Sequence, residues 1–185
     1  ICSEAPRDEN GEVVLATSKL FHFSKKFNTD YLPYTIELGR SFVQPAYQSS
    51  KAGAKALFAL DNLWDGLGAL TVDHPEIKYF FGKVTMYSHF HSEARNLIQF
   101  FMRKYFSDRE NLVYPKEPVE FDIDPVAMAK IFTGENYKDD YKILTHSVRQ
   151  YGENIPPLFN AYMNLSPSMK TFGTIKEDTF GNVLE

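Results

Sequence analysis

A polar loop, Gln48-Ser49-Ser50-Lys51-Ala52-Gly53, separates a β-branched apolar run from a helical one. A strand that enters such a loop and leaves it as a helix offers unpaired N–H groups and the positive end of a helix dipole to an anion. Lys51 and Lys55 add charge of the same sign. Ser49, Ser50, Lys51, Ala52, Gly53 and Ala54 are therefore candidates to cradle the pyrophosphate of coenzyme A or the phosphopantetheine phosphate of an acyl carrier protein. The pattern equally fits an ordinary strand-to-helix connection, because one glycine selects no ligand. Upstream stand Glu37 and Arg40, which have opposite parity and point to opposite faces of a regular strand. A bulge near Gly39 would bring them to one side; otherwise they read as a structural ion pair. His89-x-His91 supplies two metal-ligand types without the third or fourth that zinc needs, so surface or helix-capping roles fit better. No Gly-x-Ser-x-Gly elbow surrounds any serine, which argues against a serine hydrolase. Cys2 lies in a polar tail and receives no role.

Holding these residues requires a strand over residues 35–43, closed by Pro45, and a helix over residues 54–70. Leu57, Leu60, Trp64 and Leu67 recur in that helix at spacings of three and four. A second strand is expected over 77–86. The clearest helical stripe follows, with Ala94, Leu97, Ile98, Phe101, Met102 and Tyr105 on one face. Strand, loop, helix, strand, helix implies a parallel pair joined by a right-handed crossover. Residues 13–23 read as an earlier strand and 107–125 as a long link. Shorter helices are expected at 125–132, at 139–152 with Tyr141, Leu144 and Val148 on one side, and at 155–166 with Leu158, Tyr162 and Leu165 inward. Residues 170–174 could return as a strand.

Bulk composition fits one packed domain: 185 residues, 43% hydrophobic and 15% aromatic. A net charge of −4 argues against general nucleic-acid binding. One cysteine excludes an internal disulfide and suits a reducing compartment. The expectation is a cytoplasmic protein, with peripheral contact at the inner membrane face as an option and no resident metal or cofactor. The 16 Phe and 11 Tyr are read mainly as core. Phe80, Phe81, Phe100 and Phe101 could instead line a channel for an acyl chain.

Glu37-Leu38-Gly39-Arg40-Ser41-Phe42-Val43, followed by Pro45 and Tyr47, resembles the core motif of the bacterial ornithine-lipid and glycine-lipid N-acyltransferases, whose relatives often carry the label hemolysin. Phe80-Phe81-Gly82-Lys83-Val84 is similar to the next strand of that group. Ile155-Pro156-Pro157-Leu158, Ala161-Tyr162 and Phe172-Gly173 resemble its C-terminal segment. Glu37-x-x-Arg40 before Val43 is also similar to the acyl-homoserine-lactone synthases. The resemblance covers most of residues 13–181.

The resemblance implies an α/β fold of the GNAT type, a mixed twisted sheet with flanking helices, whose parallel central pair splays near Gly39 to admit a pantetheine arm. It implies an acyltransferase that moves a 3-hydroxyacyl group from an acyl carrier protein thioester or acyl-coenzyme A to the amine of an amino acid. Glu37 becomes the candidate general base or amine anchor, Arg40 the residue that orients the acceptor carboxylate, and Tyr87 the donor of a proton to the leaving thiolate. Gln48 stands five residues before Gly53, a spacing unlike the usual GNAT phosphate loop, so acyl transfer is implied more firmly than coenzyme A. The family's first elements precede this motif region. Residues 1–185 are thus expected to form one GNAT-like domain truncated at its N-terminus, holding the donor half of the site. The competing classes are a membrane-lytic hemolysin and a non-catalytic acyl-carrier or lipid-binding module.

Overall fold

A computed structural model describes residues 1–39, 44–45, 59–179, 181 and 183–185. The chain divides into two compact units, Ile1–Lys19 with Lys25–Lys83, and Leu20–Ser24 with Val84–Glu185.

In the first unit, strand β2 (Thr35–Leu38) pairs in parallel with β3 (Tyr79–Gly82), Thr35 opposite Tyr79 and Leu38 opposite Gly82. Parallel strands cannot be joined by a tight turn. The connection here carries helix α1 (Ala59–Asp73), so the expected strand–helix–strand order is present. β3 is shorter than the anticipated 77–86. For β2 the expected stretch 40–43 lies outside the described residues, and the expected bulge at Gly39 with it. Beneath the pair, Phe27 packs its ring 5.6 Å from that of Phe81, and the Thr35 hydroxyl donates to the Tyr31 carbonyl at 2.7 Å.

Residues 13–23 do not form the expected strand. Ala16–Lys19 is a 3₁₀ turn, and β pairing is limited to a single bridge of Val13 with Arg7 and to β1 (Phe21–Phe23). The cause is local polar competition: the Ser18 hydroxyl accepts from Leu15 N–H at 2.8 Å, and a distant carboxylate takes the next two amides.

In the second unit β1 pairs antiparallel with β4 (Val113–Pro115), a strand inside the stretch expected to be a link. Pro115 is tolerated because it closes β4. The core is built on α2 (Ser92–Phe106), whose Ala94, Leu97, Ile98, Phe101, Met102 and Phe106 are all buried. They recur at helical spacing, as anticipated, except that Phe106 is buried in the last turn and Tyr105, expected there, is half-buried. Against them lie Leu144 and Val148 of α4 (Tyr137–Gln150), Met128 of α3 (Pro125–Ile131), and Met163 of α5 (Pro157–Leu165). Phe101 is fully buried among Tyr105, Phe132, Tyr137 and Tyr141, with ring centroids 4.9–6.2 Å away. Burial of such a side chain contributes about 1.5–3 kcal/mol. Asp124 caps α3 by accepting from Val126 and Ala127 N–H, with Pro125 in the first turn, where a missing N–H costs nothing.

Two further expectations shift. Leu165 ends α5 and is 47% exposed, whereas Met163, one turn after Phe159, takes the inward position. Thr171 makes an isolated bridge with Ser107, and the late ladder is instead β5 (Lys176–Glu177) with β6 (Val183–Leu184). The class is mixed α/β. In place of one mixed sheet, the described strands form three two-stranded ladders, β1–β4, β2–β3 and β5–β6. Strands of two to four residues give too little ladder to recruit further neighbours. No described helix is long and apolar enough to cross a membrane.

Tight packing at the start of α4 gives one expected result. A Cβ added to Gly134 would lie 2.6 Å from Asp140 Oδ1 and 2.8 Å from Asp140 N. Gly134→Ala should therefore lower stability by about 1–3 kcal/mol, read from the midpoint of urea unfolding.

Candidate active site

Glu37 stands near the end of β2, opposite Phe81 on β3. Its carboxylate is half-buried and accepts Ala16 N–H at 2.9 Å, Thr17 N–H at 3.0 Å and the Thr17 hydroxyl at 2.7 Å. Ala16 and Thr17 open the 3₁₀ turn, so Glu37 serves that turn as a cap supplied from another element. A carboxylate has about four acceptor positions. The three donors leave it room for one more partner. Ion pairing with Arg40 is not needed to explain its placement; Arg40 itself lies outside the described residues, as does the loop Ser49–Ala54.

The Cys2 thiol is close enough to feel this charge. Burial, and then the Glu37 carboxylate, push it up to about 11, so it stays protonated at neutral pH. A protonated buried thiol is a poor nucleophile.

Tyr87 belongs to the second unit, just past the bridge that joins Met86 to Leu184. It is 59% exposed and its ring stacks on His89 at 5.5 Å. An exposed phenol beside an imidazole can exchange protons with solvent and with a bound group. His91 caps α2 through Nδ1, which accepts Glu93 N–H at 3.2 Å, while the His91 backbone N–H donates to the Glu153 carboxylate at 3.0 Å. Of the expected surface or helix-capping roles, His91 takes the cap and the exposed His89 the surface position. Among the described residues no three His, Cys, Asp or Glu side chains gather as a metal would require.

The aromatics proposed as channel or core are divided between the units. Phe81 and Phe101 are buried in their respective cores; Phe80 and Phe100 are half-buried.

Residues 1–185 align over 98% of their length with a glycine N(alpha)-acyltransferase of Phocaeicola vulgatus, at 54% identity. They align over 96% with a glycine N(alpha)-acyltransferase of Bacteroides thetaiotaomicron, at 56% identity. The chain is a relative of N-acyltransferases. It spans about half the length of these curated relatives, 56% of the first and 53% of the second. No protein-family profile matches the chain, and no solved structure does.

Among the described residues lies a buried polar centre that no motif marked. Asp140 of α4 is fully buried and receives Lys104 Nζ at 2.5 Å, the Tyr105 hydroxyl at 2.6 Å and Gly134 N–H at 2.7 Å. Burial alone would raise its carboxyl pKa. The hydrogen bonds from Lys104, Tyr105 and Gly134 outweigh it and hold the carboxyl below the usual value. Burial and the same carboxylate drive the Tyr105 phenol upward. A signal was available: Asp140 lies in register with Leu144 and Val148, and a charge on an apolar stripe implies a buried partner.

Proposed function

We propose that this chain is part of an N-acyltransferase that moves a fatty acyl group from a thioester donor to the α-amine of an amino acid, with glycine the foremost candidate acceptor. The observation that carries this reading is the identity of 54–56%, across nearly the whole chain, to proteins named for that activity. The donor would be an acyl carrier protein thioester or acyl-coenzyme A, and a 3-hydroxyacyl group would give an N-acyl amino acid of the kind that begins an aminolipid. A GNAT-type fold is part of the same reading.

In this reaction the ammonium of the acceptor first loses a proton. The free amine attacks the thioester carbonyl, the tetrahedral intermediate gives up its second N–H proton to solvent, and the C–S bond breaks as the amide forms. Glu37 is the base, using its remaining acceptor position directly or through one water. The Ala16 and Thr17 donors keep its carboxylate oriented at the end of β2. Arg40 orients the acceptor carboxylate, and Tyr87 returns a proton to the departing thiolate. Ser49, Ser50, Lys51, Ala52, Gly53 and Ala54 hold the donor phosphate. The pantetheine arm passes Gly39, just beyond the last described pair of β2 and β3, Leu38 with Gly82.

The complete gene product, incubated with glycine and a 3-hydroxyacyl thioester of each carrier, should yield N-acylglycine by mass spectrometry. Absence of product with every amino acid tried overturns the reading. Gly39 supplies a sharper check. Its Cβ position meets no described atom within 4 Å and its backbone is not left-handed. Gly39→Ala should leave stability within about 0.5 kcal/mol. It should still weaken donor binding by about tenfold, the effect of roughly 1.4 kcal/mol, if the arm packs there. Unchanged donor affinity in titration calorimetry would move the arm elsewhere.

A further inference from the structure

Arg95 stands in the first turn of α2, between the buried Ala94 and the buried Asn96. Its guanidinium lies 5.2 Å from the centre of the Phe121 ring, and its Nε is buried with no hydrogen-bond partner. Among the described residues it forms no salt bridge either. Lys104 and Lys170 of the same unit differ. The first reaches Asp140, the second Asp108 and Glu110. A buried donor left unpaired is costly and uncommon, so it calls for an explanation. Stacking on Phe121 accounts for one face of the group and leaves its N–H edge without an acceptor.

Hydrogen bonds hold the platform under this side chain. Asn96 Nδ2 donates to the Asp122 carbonyl at 3.1 Å, which ties the segment beside Phe121 to α2. Ile123 N–H donates to the Phe121 carbonyl at 2.9 Å. A guanidinium stacked on a held ring loses little freedom when it binds. Its planar fork suits an oxyanion, through two parallel N–H···O bonds. Charge narrows the choice. Glu93, Glu120 and Asp122 are exposed and close in sequence to Arg95 or Phe121. Three carboxylates repel a multiply charged phosphate. A zwitterionic amino acid brings a single carboxylate and its own ammonium.

We propose that Arg95 is a substrate-binding residue that takes the carboxylate of the acceptor amino acid, an assignment that rests on the acyl-transfer reading. The test gives the complete gene product glycine, glycinamide (which lacks the carboxylate) and the acyl thioester. Arg95→Met keeps the apolar stem and removes the charged fork. It should raise KM for glycine about tenfold. The preference in kcat/KM for glycine over glycinamide should shrink by a similar factor, roughly 1.4 kcal/mol. KM for the thioester should stay within about twofold and the thermal midpoint within about 2 °C. Arg95→Lys retains charge without the fork, so it should lose part of the preference. A rise in KM for the thioester alone would give the anion to the donor and overturn the proposal. So would a loss of preference confined to Arg40→Met, or a fall in midpoint with the kinetics of both substrates intact. A wild type that acylates no amino acid sinks the functional reading and this assignment together. An active wild type matched in every constant by Arg95→Met sinks the assignment alone.

Discussion

In the complete gene product, Glu37→Gln is expected to reduce turnover by on the order of 10²-fold or more, the scale of a lost general base. Glutamine keeps the shape and one acceptor oxygen but has no basic carboxylate. The substitution also turns an amide NH₂ toward the Ala16 and Thr17 donors that now bind both carboxylate oxygens. A stability loss of about 1–3 kcal/mol should accompany it. Thr17→Val separates the two effects. It deletes the hydroxyl donor at 2.7 Å and retains the carboxylate, so it should cost about 1 kcal/mol and leave most of the turnover. Turnover is compared below the unfolding midpoint of the weakest variant. If Glu37→Gln and Thr17→Val reduce it equally, Glu37 acts as a cap alone, and the base must be sought among other residues.

Asp140→Ala is expected to destabilise the second unit strongly. It strands Gly134 N–H and the Tyr105 hydroxyl without their acceptor and removes the partner of Lys104. Lys104 is 35% exposed and can recover water, which trims the loss. The expected cost is about 2–4 kcal/mol in urea unfolding. The pH dependence has a defined sign. Because the folded carboxyl lies below its ordinary value of 3.8, its contribution is complete above that pH and disappears as pH falls through the folded value. Asp140→Asn should therefore be less stable than wild type at neutral pH, and the gap should close as pH drops below about 3.8. A gap that persists undiminished at lower pH would mean that the carboxylate charge contributes little.

Local periodicity was enough to place α2, α3 and α5 within a few residues and to foresee that β2 and β3 run parallel. A stripe such as Leu97, Ile98, Phe101 and Met102, or a cap such as Asp124-Pro125, is encoded within one or two helical turns. The same local reading missed the turn at Ala16–Lys19, because its decisive partner, Glu37, lies 20 and 21 residues further on. The apolar stripe marked Asp140 as needing a buried partner, but it could not name Lys104 and Tyr105, which stand 36 and 35 residues away. Side chains that meet across such separations are brought together only by packing of whole elements, and no spacing rule along the chain records that meeting. The identity of Glu37 as a residue of interest was thus present in its motif, whereas the donors that hold it were set by the tertiary structure.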